Sequence, residues 1–147
     1  MHIGNMSMLG ELRLDVAFQP IVRLSTGEVF GYEALMRGVR PAGEVVPTEL
    51  LLDGARTLNI IHNIEQAVHR RALDVQETLF PEKLLFLNID LSSYNEHPES
   101  YQRLYGDSSG LAIELTETNG RDLLNFASWA RKSPVQLALD DFGSSLS

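Results

Sequence analysis

Leu84-Leu85-Phe86-Leu87-Asn88 is a run of four apolar residues that ends in an amide side chain. The chain contains three further runs of this kind, each ending in a carboxylate. They are Val29-Phe30-Gly31-Tyr32-Glu33, Leu111-Ala112-Ile113-Glu114 and Leu137-Ala138-Leu139-Asp140-Asp141. Apolar runs of this length are typical of strands that are buried on both faces of a parallel sheet. The sequence therefore predicts four strands with a polar side chain at or near the carboxyl end.

The spacing of three of these polar residues predicts the fold class. Asn88, Glu114 and Asp140 follow one another at about 26 residues, roughly the length of one strand-plus-helix unit of a (β/α) barrel. Helical segments alternate with the strands, which is typical of α/β proteins. We therefore expect a partial TIM-like (β/α) barrel with about five strands.

The first predicted strand differs from the others in direction. The turn Ser25-Thr26-Gly27-Glu28 joins strands at 15–24 and 29–36, and so short a connection predicts that this pair is antiparallel. The remaining strands are predicted over 84–91, 111–116 and 135–142. Helices are predicted over 48–58, 60–79 and 121–132, and residues 93–105 are predicted to be helical or irregular because Pro98 interrupts them.

Five strands do not complete a barrel of this class, which takes eight strands and about 250 residues. The 147 residues leave three explanations open: a fragment of a longer domain, a sheet completed by a partner, or an unusual closure. An open sheet leaves unpaired edge strands, and proteins usually cover such edges. We therefore expect a homo-oligomer, or another protein, to cover the open sheet edge.

Composition restricts the class of protein. Hydrophobic residues make up 44% of the chain and charged residues 22%, as in soluble globular proteins. The net charge of −8, without a basic run, argues against a polymeric nucleic-acid partner, whereas a small anionic ligand is compatible if metal ions supply positive charge. There is no cysteine, no secretory signal and no apolar run of the roughly 18 residues that span a bilayer. We expect a cytoplasmic protein without a membrane segment.

The polar strand ends predict a site for a divalent cation. Residues at the carboxyl ends of barrel strands point into a shared mouth, and side-chain oxygens are the ligands that Mg²⁺, Mn²⁺ and Ca²⁺ prefer. The adjacent Asp140 and Asp141 suit a carboxylate that bridges two metal ions. A single acid at a strand end is usually a solvated boundary residue. The occurrence of several on strands that should be neighbours makes a metal or phosphate site as good an explanation as solvated boundaries.

Five short motifs, in this order, resemble the EAL-domain family of cyclic di-GMP phosphodiesterases. They are Phe18-Gln19-Pro20-Ile21, Glu33-Ala34-Leu35-x-Arg37, Asn88, Glu114-Leu115-Thr116-Glu117 and Asp140-Asp141-Phe142-Gly143. The family has a TIM-like barrel whose first strand runs antiparallel to the others. The resemblance implies an N-terminal extension over 1–14 and a truncated EAL domain over 15–147.

The resemblance implies a set of metal ligands. Carried over by position, the ligands are Glu33, Asn88, Glu114 and Asp140, and Asp141 bridges to the second ion of a two-metal site. Glu33, Asp140 and Asp141 are then catalytic. The implied ions are Mg²⁺ or Mn²⁺, with Ca²⁺ binding in an inhibitory manner.

The resemblance also implies contacts to the ligand. Gln19 and the region of Leu35 line the nucleotide pocket, and Arg37 contacts a phosphate, which its planar guanidinium can bind with two hydrogen bonds. Glu117 anchors the loop after the fifth strand instead of binding metal. Gln19 and Glu117 are also compatible with simple structural or surface polarity.

The chain departs from the family pattern at three places. Ser144-Ser145-Leu146 follows Gly143 directly, where the family continues Thr-Gly-Tyr-Ser-Ser-Leu, so the loop is shorter. Asp90 stands where the family commonly has the serine of Asn-x-Ser. The family's catalytic lysine on the sixth strand, and the polar residues of later strands, have no counterpart before Ser147.

Two functions are therefore expected as alternatives. The first is metal-dependent hydrolysis of cyclic di-GMP to linear pGpG, as the resemblance implies for the full-length family. The second is a catalytically inactive truncated EAL domain that acts as a nucleotide sensor or as a protein-interaction or oligomerisation module. Whether the chain is an enzyme stays open, and the isolated chain is expected to be inactive because half of the pocket is missing.

Overall fold

The computed structural model of this chain describes residues 2–6, 10–106, 108–115 and 120–139. The strands are β1 (His2–Met6), β2 (Gly10–Val22), β3 (Val29–Val39), β4 (Val45–Val46), β5 (Leu84–Asn88), β6 (Leu111–Leu115) and β7 (Gln136–Leu139). The helices are α1 (Thr48–Thr57), α2 (Ile61–Leu79), α3 (Leu91–Glu96), α4 (Pro98–Tyr105) and α5 (Gly120–Arg131).

The described strands form one sheet in the order β1-β2-β3-β5-β6-β7, and β4 pairs with β3. β2 runs antiparallel to β3, whereas β3, β5, β6 and β7 are parallel. The expectation of an α/β protein with about five main strands and an antiparallel first strand is confirmed. β1, which pairs antiparallel with β2, was not predicted.

Several strand boundaries differ from the sequence prediction, among them the end of β3, which is Val39 instead of residue 36. β2 begins at Gly10 instead of residue 15, because the buried Leu12 and Leu14 alternate with exposed polar residues and continue the strand pattern toward the N-terminus. β5 ends at Asn88 instead of residue 91, because Asp90 already caps α3. Structural coverage ends at Leu115 in β6 and at Leu139 in β7, so the last predicted residues of these strands lie outside the described residues.

The core lies between the sheet and the helices. Alternate residues of the parallel strands, such as Leu85, Leu87 and Ile113, are fully buried against aromatic side chains of the helices, such as Tyr94 and Phe126. Full burial of an aliphatic or aromatic side chain contributes about 1.5–3 kcal/mol. The opposite face of β5 carries the partly buried Leu84, Phe86 and Asn88, so polar and apolar side chains lie side by side there.

One glycine permits the close approach of β3 to β5. A Cβ atom at Gly31 would lie 2.8 Å from the backbone oxygen of Leu84 and 2.8 Å from the ring of Phe86. Gly31 and Leu84 are register partners in the parallel pair. The pairing that places Glu33 beside β5 therefore depends on the absence of a side chain at residue 31.

Among the helices that the structure describes, none combines the length and the apolar character needed to cross a bilayer.

We expect Gly31→Ala to lower the free energy of unfolding by about 1–3 kcal/mol, because the added methyl group overpacks the β3–β5 contact. The matched control is Gly38→Ala on the same strand, where the new Cβ would lie 3.5 Å from a Leu51 methyl group at ordinary contact distance. Urea denaturation of both variants measures the difference. Equal stability of the two variants would contradict this account of Gly31.

Candidate functional site

Three of the predicted ligands lie on adjacent parallel strands. Asn88 and Glu114 lie at or next to the carboxyl ends of β5 and β6, whereas Glu33 lies in the middle of β3, which continues to Val39. Glu33 of β3 is the register partner of Phe86 in β5, and Asn88, two residues further along β5, is the partner of Glu114 in β6. The side chains of Glu33 and Asn88 are in contact, since Asn88 Nδ2 donates a hydrogen bond to Glu33 Oε2 at 3.0 Å. That bond occupies the amide nitrogen and leaves Asn88 Oδ1 as a cation donor.

The residues expected to bind nucleotide lie on the same face of the sheet. Gln19 of β2 lies directly opposite Glu33 in the antiparallel pair, and side chains alternate along β3, so Leu35 and Arg37 share the face of Glu33. Gln19 and Arg37 are exposed, whereas Glu33, Leu35 and Asn88 are partly buried. This face is opposite to the one that packs on the helices.

The remaining predicted site residues lie outside the described residues. These are Asp140, Asp141 and Glu117. The last described residue of β7 is Leu139, which pairs with Leu115 of β6.

The described donors are all oxygen atoms of carboxylates and of one amide. Oxygen donors of this kind fit Mg²⁺, Mn²⁺ or Ca²⁺ and not a thiolate zinc site. Within residues 2–6, 10–106, 108–115 and 120–139, no group of three or more His, Cys, Asp or Glu side chains is placed to hold a metal ion. The described part of the site therefore contributes Glu33, Glu114 and the Asn88 amide.

A cavity of about 270 Å³ lies on the helix side of the same strand ends. It is enclosed by β3, by the residues at the end of β5, and by α1 and α2. Its lining residues are Ala34, Leu35, Met36, Thr48, Leu52, Arg56, Glu65, Val68, His69, Asn88, Ile89 and Asp90. The cavity thus adjoins the candidate site through Leu35 and Asn88.

Glu65 of α2 is a buried carboxyl group in this cavity wall, with 5% of its surface exposed. Its Oε2 accepts a hydrogen bond from the Asp90 backbone amide at 3.0 Å, and its Oε1 lies 2.7 Å from the Tyr101 hydroxyl. Burial raises the pKa of Glu65 to about 8, and the Asp90 carboxylate adds to this rise. The hydrogen bonds from Tyr101 and from the Asp90 amide oppose it, as does the positive charge of Arg56. Glu65 therefore keeps its proton at neutral pH for the most part.

His69, one turn further along α2, is also buried. Burial lowers the pKa of its ring to about 4, so the ring is neutral at pH 7. The ring hydrogen-bonds the backbone of Asn88, and its Nδ1 lies 2.9 Å from the Tyr105 hydroxyl.

The sequence predicted a structural role for His69 and assigned no role to Glu65. A signal was nevertheless present, because Glu65 lies four residues after Ile61 and three before Val68, within the apolar stripe of α2. A charged residue in such a stripe indicates a buried polar partner.

Asp90 has a structural function that its departure from the family pattern did not suggest. Its side chain caps α3 by accepting a hydrogen bond from the Ser93 amide at 3.0 Å. The N-terminus of α3 is therefore fixed directly after the end of β5.

We expect the free energy of unfolding to decrease between pH 6.5 and pH 8. The folded chain keeps the Glu65 proton that the unfolded chain releases above pH 4.5, so Glu65 reduces stability as pH rises to about 8. His69 has the opposite effect below pH 6.5, where the unfolded chain binds a proton that the buried ring does not. Below pH 6.5 the two effects oppose each other. Above pH 6.5 only the effect of Glu65 is left, and it lowers the free energy of unfolding by at most about 1.4 kcal/mol per pH unit.

Urea denaturation at several pH values between 6.5 and 8 measures this slope. Glu65→Gln should remove the decrease, whereas Glu77→Gln, which changes an exposed carboxylate on the same helix, should retain it. A decrease of the same size in both variants would assign the effect to another group.

Comparisons with known proteins agree with this fold. A sequence model of the family described as EAL domain matches residues 7–147. The chain is 27% identical over 164 residues to the probable cyclic di-GMP phosphodiesterase PdeI of Escherichia coli (strain K12), which covers 99% of this chain and 20% of PdeI. The chain therefore spans about a fifth of the length of this curated relative.

Two solved structures have similar backbones. The manganese/cy-diGMP complex of Klebsiella pneumoniae BlrP1 at pH 6 matches with a TM-score of 0.70 and 22% identity, covering 91% of this chain and 36% of BlrP1. The Bacillus subtilis YkuI protein, with an EAL domain, in complex with c-di-GMP and calcium, matches with a TM-score of 0.65 and 22% identity, covering 88% of this chain and 35% of YkuI. At these identities the two likenesses concern the fold. Because the family match extends over nearly the whole sequence, this chain belongs to the EAL domain family.

Proposed function

We propose that the polar face of β3, β5 and β6 binds a divalent cation together with cyclic di-GMP, and that the EAL domain containing this chain hydrolyses cyclic di-GMP to linear pGpG. The observation that carries this proposal is the contact between Glu33 and Asn88 on adjacent parallel strands, with Glu114 in register beside Asn88. Carboxylate and amide oxygens are the donors that a hard cation prefers.

The names of the similar proteins support the choice of ligand and ion. PdeI is described as a probable cyclic di-GMP phosphodiesterase, and BlrP1 and YkuI were solved with cyclic di-GMP in the presence of manganese and of calcium, respectively. For this chain we propose Mg²⁺ or Mn²⁺ as the active ion, with Ca²⁺ able to occupy the same donors. We also propose that the protein is cytoplasmic.

A cation reduces the repulsion between cyclic di-GMP and this negatively charged chain. The chain has a net charge of −8, and the phosphodiester groups of cyclic di-GMP are also negative. A bound divalent cation supplies charge stabilisation for the attacking and leaving oxygens of a phosphodiester displacement. Arg37, which is exposed on the same face as Glu33, is placed to hold a phosphate group, and Gln19 and Leu35 to contact the nucleotide.

The residues outside the described ranges complete the proposed assignment. Asp140 and Asp141 follow β7 directly in sequence, as further metal ligands with catalytic roles alongside Glu33, and Glu117 follows β6 as the loop anchor. The proposed domain runs from residue 15 to residue 147, after an extension over 1–14.

We expect Glu33→Ala to weaken Mn²⁺ binding by at least about tenfold, because a direct ligand contributes no less than the outer partners of a metal site do. Calorimetric titration of the full chain with Mn²⁺ measures the affinity. Incubation with cyclic di-GMP and Mn²⁺, followed by chromatography for linear pGpG, measures hydrolysis. Glu28→Ala, which removes an exposed carboxylate in the turn between β2 and β3, is the matched control and should bind as the unmodified chain does.

Two outcomes contradict the proposal. One is the absence of Mn²⁺ binding by the unmodified chain. The other is an affinity for Mn²⁺ in Glu33→Ala that equals that of Glu28→Ala. Binding of Mn²⁺ and cyclic di-GMP without formation of pGpG would favour the second candidate function for this chain.

The second candidate is a nucleotide-binding or oligomerisation module without catalysis. The observation that favours it is the exposure of apolar side chains on β7 and α5, where Leu137 is 43% exposed and Leu124 is 67% exposed. Among the described strands, β7 pairs with β6 alone. An edge strand with exposed leucines favours association with a second copy or with another protein.

We expect light scattering of the full chain to give a mass above that of a monomer, and Leu137→Lys to shift it toward the monomer, because a charge on an edge strand opposes strand pairing. Leu79→Lys, which changes an exposed leucine at the end of α2, is the control and should not alter the mass. A strictly monomeric mass together with no binding of cyclic di-GMP would count against this candidate.

A further inference from the structure

Two buried side chains of α2 hold the backbone around the last residue of β5. Glu65 and His69 are four residues apart and therefore lie on one face of the helix. They are 5% and 3% exposed, and both line the cavity that adjoins the candidate site. Neither belongs to the proposed ligand set.

Glu65 holds the backbone after Asn88. Its Oε2 accepts from the Asp90 amide at 3.0 Å, and its Oε1 lies 2.7 Å from the Tyr101 hydroxyl. The same hydroxyl lies 2.9 Å from Ser93 Oγ. The backbone that follows β5 is therefore hydrogen-bonded to α2, and through Tyr101 this contact extends to α4 and to the first turn of α3.

His69 holds the backbone at Asn88 itself. A hydrogen bond between the His69 ring and the Asn88 backbone raises the pKa of the ring against the effect of burial, and His69 Nδ1 lies 2.9 Å from the Tyr105 hydroxyl. The backbone at residue 88 and the amide of residue 90 therefore both contact α2, which restricts where the Asn88 side chain can lie. In the structure, Asn88 Nδ2 lies 3.0 Å from Glu33 Oε2.

We propose that Glu65 and His69 are positioning residues that hold Asn88 in the orientation needed to coordinate a divalent cation between β3, β5 and β6. This inference rests on the proposed function, since it presumes that the cation binds there. Ligand geometry must be held within a fraction of an ångström, and outer partners of metal ligands typically change metal affinity by roughly 10- to 100-fold.

The main test is Glu65→Met in the full chain, which replaces the carboxyl group by an apolar group of similar length and removes the acceptor for the Asp90 amide. Calorimetric titration should show Mn²⁺ binding that is weaker by roughly 10- to 100-fold. Glu65→Gln retains an acceptor for that amide and should restore nearly the affinity of the unmodified chain.

Gln76→Met is the matched control for a general loss of stability. Gln76 is buried on the same helix, and its Nε2 donates to the carbonyl oxygens of Lys83 at 2.9 Å and Gly110 at 2.7 Å. These partners precede β5 and β6, at the ends of the strands that are remote from Asn88. We expect Gln76→Met to lose stability and to keep its affinity for Mn²⁺.

Each outcome either supports or overturns the positioning role. Weaker binding in Glu65→Met alone supports positioning. Unchanged binding in Glu65→Met, or equal weakening in Gln76→Met, overturns the inference and leaves the proposed function standing. Absence of Mn²⁺ binding by the unmodified chain overturns the proposed function, and the inference with it.

A second pair of variants applies if Glu65→Met does not fold. Tyr101→Phe removes only the hydroxyl beside Glu65, whereas Tyr94→Phe removes a hydroxyl that accepts from Gln102 at 2.9 Å, and both tyrosines are fully buried. Tyr101→Phe alone should weaken Mn²⁺ binding and speed hydrogen exchange of the Asp90 amide in the metal-free protein. Unchanged affinity and unchanged exchange in Tyr101→Phe would overturn the inference.

Discussion

The parallel register between β3 and β5 determines which side chains reach the candidate site. Gly31 pairs with Leu84 and Glu33 with Phe86, which puts Asn88 one alternate position further along the same face. A slip of one residue would turn Glu33 toward the helices, where a carboxylate would meet the apolar core without a partner. The close approach at Gly31 opposes such a slip, because most side chains would not fit there.

One face of the sheet forms the core with the helices, and the other carries the residues of the candidate site. Leucine and isoleucine side chains of β5 and β6 face the helices and are almost completely buried. The opposite face carries the carboxyl groups of Glu33 and Glu114 and the amide of Asn88. Hydrophobic stabilisation of the sheet therefore comes mainly from its helix-facing side.

Strong local patterns made most of the fold predictable. The tight turn before Val29 predicted the antiparallel first pair, and the apolar run ending in Asn88 predicted a parallel strand with a polar end. Features that depend on distant residues were not predicted. Glu65 meets Tyr101 across 36 positions of sequence, so no local pattern names its partner, and Asp90 ends β5 early because its side chain caps the next helix. Glu33, Asn88 and Glu114 lie on adjacent parallel strands, and their roles are proposals.

Helix α2 is bonded to both ends of the parallel strands. Gln76 contacts the backbone before β5 and β6, and Glu65 and His69 contact the backbone at and after the end of β5. A single-residue insertion between Glu65 and Gln76 would rotate one set of side chains by about 100° relative to the other. The helix could then keep its hydrogen bonds at one end of the strands but not at the other. Changes in chain length during evolution are therefore compatible with the loops that flank α2, whereas the interval from 65 to 76 has to keep its length.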